Sequence, residues 1–423
     1  MLNRRQFIAR TLAGSSLLAV GSVVPEFVAN TARAAEAGKE TVLVVIEMTG
    51  GNDGLGTVIP YADDLYHKAR PTLRQTKEQV VKINDHIGLN SGMRSFEPML
   101  KEGHLAVVQG VGYPNPDRSH FESMDVWQSG DPRRAVTTGW VARSVPDLQD
   151  KKGNVPVIQI GDKRLPLALQ GAPGGVASIN NQVPYRLEMG TNDPARQKAK
   201  LRLIQDLAKP AEAAGRDDLL QFVRGRQLQT YFTLDQLTDL LKTQNPGAGQ
   251  FFSQASGQFY QAGSLPVKLN LIAQMIQRNF GTRVFYVALD GFDTHSGQAE
   301  TQRKLLAELA DGISNFFNAL KQSKNDSRVL VMTFSEFGRR VQENGSRGTD
   351  HGAASCLFVA GPAVKGGPVG KHPSLSDLDA GDLKHHTDFR QLYATLLDQW
   401  LGCDSKAVLG GSFAHLDLLK AKA

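Results

Sequence analysis

Only two cysteines, Cys356 and Cys403, occur in 423 residues. That count rules out a zinc–thiolate centre built from three or four cysteines and gives no basis for a disulfide framework. Cys356 lies in Ala353-Ala-Ser-Cys-Leu-Phe-Val-Ala360, which reads as a buried strand, so its thiol reads as a small core group. Beyond the N-terminal segment, no apolar run is long enough to cross a bilayer. No block of five like charges occurs, so nothing marks a nucleic-acid-binding face. Gly50-Gly51 is not followed by Gly-Lys-Ser/Thr, which excludes a phosphate P-loop. No dinucleotide fingerprint supports an oxidoreductase, and no internal repeat or low-complexity tract stands out.

What is present suits a large globular chain. An apolar share of 41% is enough for a sizeable core, and 42 glycines suit a loop-rich protein. The length points to one large α/β domain with insertions or to two domains. The N-terminus carries the most specific signal. Asn3-Arg4-Arg5-Gln6-Phe7-Ile8 is a twin-arginine element, followed by an apolar run from Leu12 to Val24 and a small-x-small site at Ala32-Arg33-Ala34. The expected organisation is a signal peptide over residues 1–34, then one domain over 35–423 with a helical insertion at about 190–260. The twin-arginine translocase would be the export partner, and the location periplasmic or otherwise exported, with no stable membrane span after cleavage. Four arginines against one glutamate in the first 34 residues account for +3 of the net +6, so the remainder carries about +3.

Thr41-Val-Leu-Val-Val-Ile46 is a continuous β-branched run, as in a strand buried on both faces of a parallel sheet. It ends in Glu47-Met-Thr-Gly50-Gly51-Asn52-Asp53. That stretch reads either as a turn or as a strand end presenting a carboxylate. Leu105–Gly112 is a second buried strand. Its following loop, Tyr113-Pro-Asn-Pro-Asp-Arg118-Ser119-His120-Phe121-Glu122, leads into a helix. Ser119 with Glu122 has the spacing of a capping box. The same position places a hydroxyl at the positive end of a helix, where an anionic group would sit, with Arg118 and His120 beside it.

Residues 137–190 read as strand- and turn-rich surface hairpins or loops, and residues 193–243 as helical. Val284–Asp290 and Arg328–Phe334 read as strands joined by an amphipathic helix bearing Leu305, Leu306, Leu309, Ile313, Phe316, Phe317 and Leu320. Thr387 to Leu401 reads as a capped closing helix. Strands in a βαβ unit end on one sheet edge, so the loops after them meet. That edge would gather Asp293, His295, Glu336, Asp350 and His351, the residue types a divalent metal needs. Asp290 is as well placed as Asp293, and Glu336 has an alternative reading as a partner of Arg339 or Arg340.

The segments Ile46-Glu-Met-Thr-Gly-Gly-Asn-Asp53-Gly54, Gly110-Val-Gly-Tyr-Pro-Asn-Pro-Asp-Arg-Ser119-His120-Phe121, Phe292-Asp-Thr-His295, Phe334-Ser-Glu336-Phe-Gly-Arg339-Arg340 and Thr349-Asp-His351-Gly352 follow one another along the chain. In that order they resemble the twin-arginine-exported bacterial family called domain of unknown function 1501. That family is similar to the alkaline phosphatase and sulfatase superfamily. The resemblance implies an α/β fold with a largely parallel sheet flanked by helices on both faces. It implies one or two divalent metals (zinc, manganese or calcium) held by Asp53, Asp293, His295, Glu336, Asp350 and His351, with Glu47 the rival of Asp53. It also implies a nucleophile at Ser119, with Arg118 and His120 stabilising an anion. The implied activity is metal-dependent hydrolysis of phosphate or sulfate esters, the substrate being a small anionic ester or a glycan. Phe337 stands where the superfamily has a metal-binding His, and the sulfatase Cys-x-Pro-x-Arg motif is absent, which argues against an ordinary sulfatase. The Phe337 departure favours the alternative, a non-catalytic exported binding protein that keeps the hydrolase fold.

Overall fold

The computed structural model describes residues 40–149, 155–161, 164–173, 176–179, 251–253 and 255–421. The expected signal peptide and most of the expected helical insertion lie outside the described residues. At the end of that insertion, Phe251–Ser253 and Gln258–Tyr260 pair as a small antiparallel hairpin.

A nine-stranded sheet organises the described residues. Its strands are β1 (Val42–Thr49), β2 (Leu105–Gly112), β3 (Val157–Ile160), β4 (Ala177–Ile179), β5 (Val284–Asp290), β6 (Val329–Phe334), β7 (Ser355–Ala360), β8 (Gly367–Val369) and β9 (Thr387–Asp388). The order is β8-β2-β7-β6-β1-β5-β3-β4, with β9 also pairing β2. All pairings are parallel except those of β7, which runs against both β6 and β2. This is the mixed, mostly parallel sheet that the sequence implied. The expected βαβ unit is present with one difference. Its two strands, β5 and β6, flank β1 rather than each other, with Thr49 opposite Asp290 and Glu47 opposite Phe334.

The apolar run of β1 follows from burial on both sides. Val42, Val44, Ile46 and Met48 face one core, while Leu43 and Val45 face the other. Side chains alternate across a strand, so only a sheet covered on both faces needs every position apolar. The first core is covered by helices α3 (Leu265–Gln277) and α4 (Gln298–Gln322). The second is covered by α1 (His120–Ser129), α2 (Trp140–Leu148) and α5 (Phe389–Thr395). On α4 the buried stripe is Leu306, Leu309, Ile313, Phe316, Phe317 and Leu320, with Leu305 at its margin.

The described residues between 137 and 179 differ in part from the surface hairpins or loops expected over 137–190. Trp140–Leu148 is a helix whose Trp140, Val141, Val145 and Leu148 are buried, and Val157–Ile160 is an inner parallel strand. The helix was hidden by its length and by Pro146 near its end, which discourages a helical reading. The closing helix is capped as expected: the Asp388 side chain accepts from Arg390 N, and Gln391 completes a capping box. Asp388→Ala should lower the unfolding free energy by about 0.5–2 kcal/mol, measured as a urea-midpoint shift at unchanged m.

Because β7 alone is reversed, its start lies on the edge where β1, β2, β5 and β6 end. Five segments therefore converge there: Gly50–Asp53, the loop from Tyr113 into α1, Asp293–His295, Ser335–Arg339, and Thr349–His351.

Candidate metal centre

The edge gathers three imidazoles around one carboxylate oxygen. Asp293 Oδ1 lies 3.5 Å from His120 Nε2, 3.1 Å from His295 Nε2 and 3.3 Å from His351 Nε2. His295 Nε2 and His351 Nε2 are 2.9 Å apart.

Each imidazole is tied at its other nitrogen to an oxygen. His120 Nδ1 is 2.9 Å from Glu336 Oε1, His351 Nδ1 is 2.8 Å from the Arg118 carbonyl, and His295 Nδ1 is 3.3 Å from Asp350 Oδ1. A carbonyl or carboxylate oxygen can only accept, so these contacts place a proton on Nδ1; Nε2 is then the nitrogen that can give its lone pair to an ion, once it sheds any proton it shares with Asp293. One ligand atom each from His120, Asp293 and His351 lies within 4.8 Å of the other two, and His295 Nε2 stands beside Asp293 and His351. Two such nitrogens at 2.9 Å repel unless a proton or a metal ion stands between them. The His120 Nε2 atom is buried and makes no hydrogen bond.

These features fit a divalent ion. Ligands about 2.0–2.1 Å from a common tetrahedral ion lie about 3.3 Å from one another. The contacts with Asp293 Oδ1, from 3.1 to 3.5 Å, bracket that edge length. Carboxylates and carbonyls behind metal-binding histidines are the usual means of fixing their rings.

Local packing explains the geometry. Gly50 and Gly51 have φ of +119° and +77°. A Cβ on Gly50 would collide with the Asp293 backbone, and one on Gly51 with the Phe337 ring. Phe337 is buried, and its ring centroid lies 4.9 Å from that of His120 and 4.6 Å from that of His351. It forms an apolar wall that sets two imidazoles rather than binding metal itself.

The charges shift accordingly. The hydrogen bond that His120 donates to Glu336 raises the His120 pKa. Burial lowers that of His351. Burial pushes Asp293 upward, but the Arg339 guanidinium outweighs it and the net shift is down. The Asn344 amide, hydrogen-bonded to Asp350, lowers that carboxyl.

Of the residues expected to bind metal, Asp293, His295 and His351 meet at the centre. His120, expected to stabilise an anion, joins them. Glu336 and Asp350 stand behind His120 and His295 as acceptors. Glu336 Oε1 also accepts from Gly50 N at 2.8 Å. Asp53 is not part of the cluster. Its carboxylate is buried against Arg70, with Oδ1 3.0 Å from Nη2, and Gln298 donates to Oδ2 at 2.5 Å. Its rival Glu47 is likewise turned inward, bonded to Gln128 at 2.9 Å and to the Tyr286 hydroxyl, and burial raises its pKa.

Ser119 is the residue before α1, but its hydroxyl makes no capping bond. The capping box that the Ser119–Glu122 spacing offers is therefore not formed. The Ser119 backbone N–H donates to Asp117 Oδ1 at 2.7 Å. The Arg118 guanidinium pairs through Nη2 with buried Asp382, and the Arg118 side chain is 42% exposed.

Sequence reading missed Arg339 as the hub of the site and Arg70 as the partner of Asp53. Arg339 follows the Ser-Glu-Phe-Gly segment directly, and that adjacency was the available signal. Arg70 ends a short helix of charged residues that reads as surface, and nothing local distinguishes it.

The family described as "Protein of unknown function (DUF1501)" matches residues 40–416. No curated protein matches the sequence. Similar solved structures include a protein in the alkaline phosphatase superfamily from Vibrio parahaemolyticus, 10% identical, with a TM-score of 0.41 over 88% of this chain and 69% of that one. They also include the PsFucS1 sulfatase from Pseudoalteromonas sp., 11% identical, with a TM-score of 0.36 over 93% of this chain and 72% of that one. A third is the C-terminal periplasmic domain of EcEptC from Escherichia coli, 10% identical, with a TM-score of 0.34 over 89% of this chain and 88% of that one.

Proposed function

The chain belongs to the DUF1501 family, and from that premise we propose that it is an exported, metal-dependent hydrolase of phosphate or sulfate esters. The observation that carries this reading is the convergence of three imidazole Nε2 atoms, each ring pinned at Nδ1, on the carboxylate of Asp293. His120, Asp293 and His351 would hold the ion and leave a position open to the ester, with His295 Nε2 beside them as a neighbouring donor. Imidazole nitrogens suit zinc or manganese better than calcium, which takes oxygen ligands. When bound, the ion supplies Lewis acidity toward the ester oxygens.

The chain's own residues supply the rest. Ser119 stands at the start of α1, where backbone N–H groups and the helix dipole favour an anionic ester. Its hydroxyl attacks phosphorus or sulfur: the new O–P or O–S bond forms as the ester bond breaks. The serine proton passes to solvent, the departing alkoxide takes up a proton, and water then releases inorganic phosphate or sulfate. Glu336 keeps the His120 ring fixed toward Asp293. Phe337 keeps water from the back of the site. Export rests on the twin-arginine segment, and among the described residues no helix is long and apolar enough to cross a membrane.

The test is turnover of aryl phosphate, phosphodiester and sulfate substrates by the metal-loaded chain, with Ser119→Ala alongside. Loss of about 10²–10³-fold in kcat is expected for the variant, since water can still attack in place of the hydroxyl. Unchanged kcat would remove Ser119 from the mechanism. No turnover on any ester by a metal-loaded chain would instead favour the binding-protein reading.

A further inference from the structure

Arg339 is buried, its side chain wholly so, and its guanidinium meets five oxygens. Nε donates to Gly51 O at 2.7 Å and Nη1 to Thr349 O at 2.8 Å. Nη2 donates to Gly50 O, to Phe292 O at 3.1 Å and to Asp293 Oδ1 at 2.7 Å. Those oxygens come from the end of β1, the end of β5 and the loop before β7. Four neutral carbonyls and one carboxylate around a single point form a cage for a hard cation.

Two further features exceed what packing requires. Among the described residues, the charged partner of Arg339 is the carboxylate that the imidazoles face. Its Nη1 also stands only 3.5 Å from His295 Nε2. Asp293 Oδ1 is thus shared between the imidazole nitrogens and a fixed positive charge. A carboxylate placed between two cations is the arrangement that holds paired metal ions about 3.5–4 Å apart. Here one of the two positions is filled by the chain itself.

We infer that Arg339 is the built-in second cation of this centre, so that the site takes one divalent ion per chain. The inference rests on the metal-centre reading above. Arg339 acts through Asp293 and touches no substrate; it is a positioning residue. It partly neutralises the only anionic ligand of the ion and closes the carbonyl cage to a second one.

Elemental analysis of the whole exported chain, after exposure to excess zinc or manganese and gel filtration, tests this directly. One ion per chain is expected. Two per chain would overturn the inference and leave the hydrolase reading standing. None would overturn both. A second measurement separates charge from mere scaffolding. Removing the positive charge beside Asp293 should make Arg339→Met bind zinc about tenfold more tightly than the unaltered chain, while Arg339→Lys stays close to it. If Arg339 only held the loops in place, both variants would bind zinc more weakly, and that result would overturn the inference. Circular dichroism confirms that each variant is folded before titration, and the ion count of the unaltered chain decides the matter if Arg339→Met does not fold.

Discussion

Replacing His351 with alanine is expected to abolish ester hydrolysis, to the uncatalysed background, and to reduce the metal content from one ion to a small fraction. His351 supplies one of three converging nitrogens, and its Nε2 lies 2.9 Å from that of His295. A tetrahedral site that loses one of its protein donors loses both affinity and the geometry that fixes the remaining ones. The fold should survive, because the sheet and both cores form without the ring. The unfolding transition of the folded variant should nonetheless fall. An ion held at about 1,000 times its Kd stabilises by about 4 kcal/mol, and a chelator should take the same amount from the unaltered chain. The residues behind the imidazoles should behave differently. Glu336→Gln and Asp350→Asn keep a hydrogen-bond acceptor but remove the charge that fixes Nδ1–H. They should weaken metal binding about 10–100-fold rather than abolish it. Titration by competition with a chromophoric chelator reads this graded series. Equal effects from His351→Ala and Asp350→Asn would place Asp350 among the ligands, as the sequence first implied.

That gradation also marks how far the site was legible from the chain. Runs of β-branched residues placed β1, β2, β5 and β6, and the rule that parallel strands end together brought Asp293, His295, Glu336 and His351 to one edge. What the sequence does not carry is direction in space beyond that edge. His120 sits next to Ser119 and was assigned to the substrate side, but the first turn of α1 aims its ring at Asp293. Glu336 ends a strand as a ligand would. Its two oxygens are nevertheless taken by Gly50 N, His120 Nδ1 and the Ser335 hydroxyl. Phe337 read as a defect in a metal motif, because its value lies in packing against the His120 ring, more than 200 positions distant in the chain, as well as against His351. The α2 helix was missed for a local reason, a nine-residue span with a proline in its last turn. In each case the periodic, short-range signal was sufficient for the strand or loop. The unread part depended on which side chain faces which across the edge.

Asp53 gives the second large effect, on stability. Asp53→Ala should lower the unfolding free energy by about 3–5 kcal/mol, a large part of the margin of an ordinary domain. Both partners are about 1% exposed, and Arg70 also donates to Val341 O at 2.6 Å and Arg340 O at 2.8 Å. Truncating the carboxylate strands a guanidinium in the interior. Removing both charges together, as Asp53→Ala/Arg70→Met, should recover much of the loss, because desolvation of the pair offsets most of its attraction. The pH dependence has a definite sign. Burial opposes ionisation of Asp53, but Arg70 overcomes it, so the folded-state pKa lies below the ordinary 3.8. A depressed carboxyl contributes stability that is complete above about pH 4 to 5 and is lost as pH falls through the folded-state value. The single variant should therefore lack part of the acid-induced loss that the unaltered chain shows. The same pair decides whether Asp53 has anything to do with the ion. Gln298 links it to the loop before His351 by donating to Asp53 and accepting from the Thr349 hydroxyl at 2.6 Å. The double variant should keep that loop in place and still bind one ion per chain. Loss of the ion from a stably folded double variant would return Asp53 to the ligand set and displace one of the imidazoles from it.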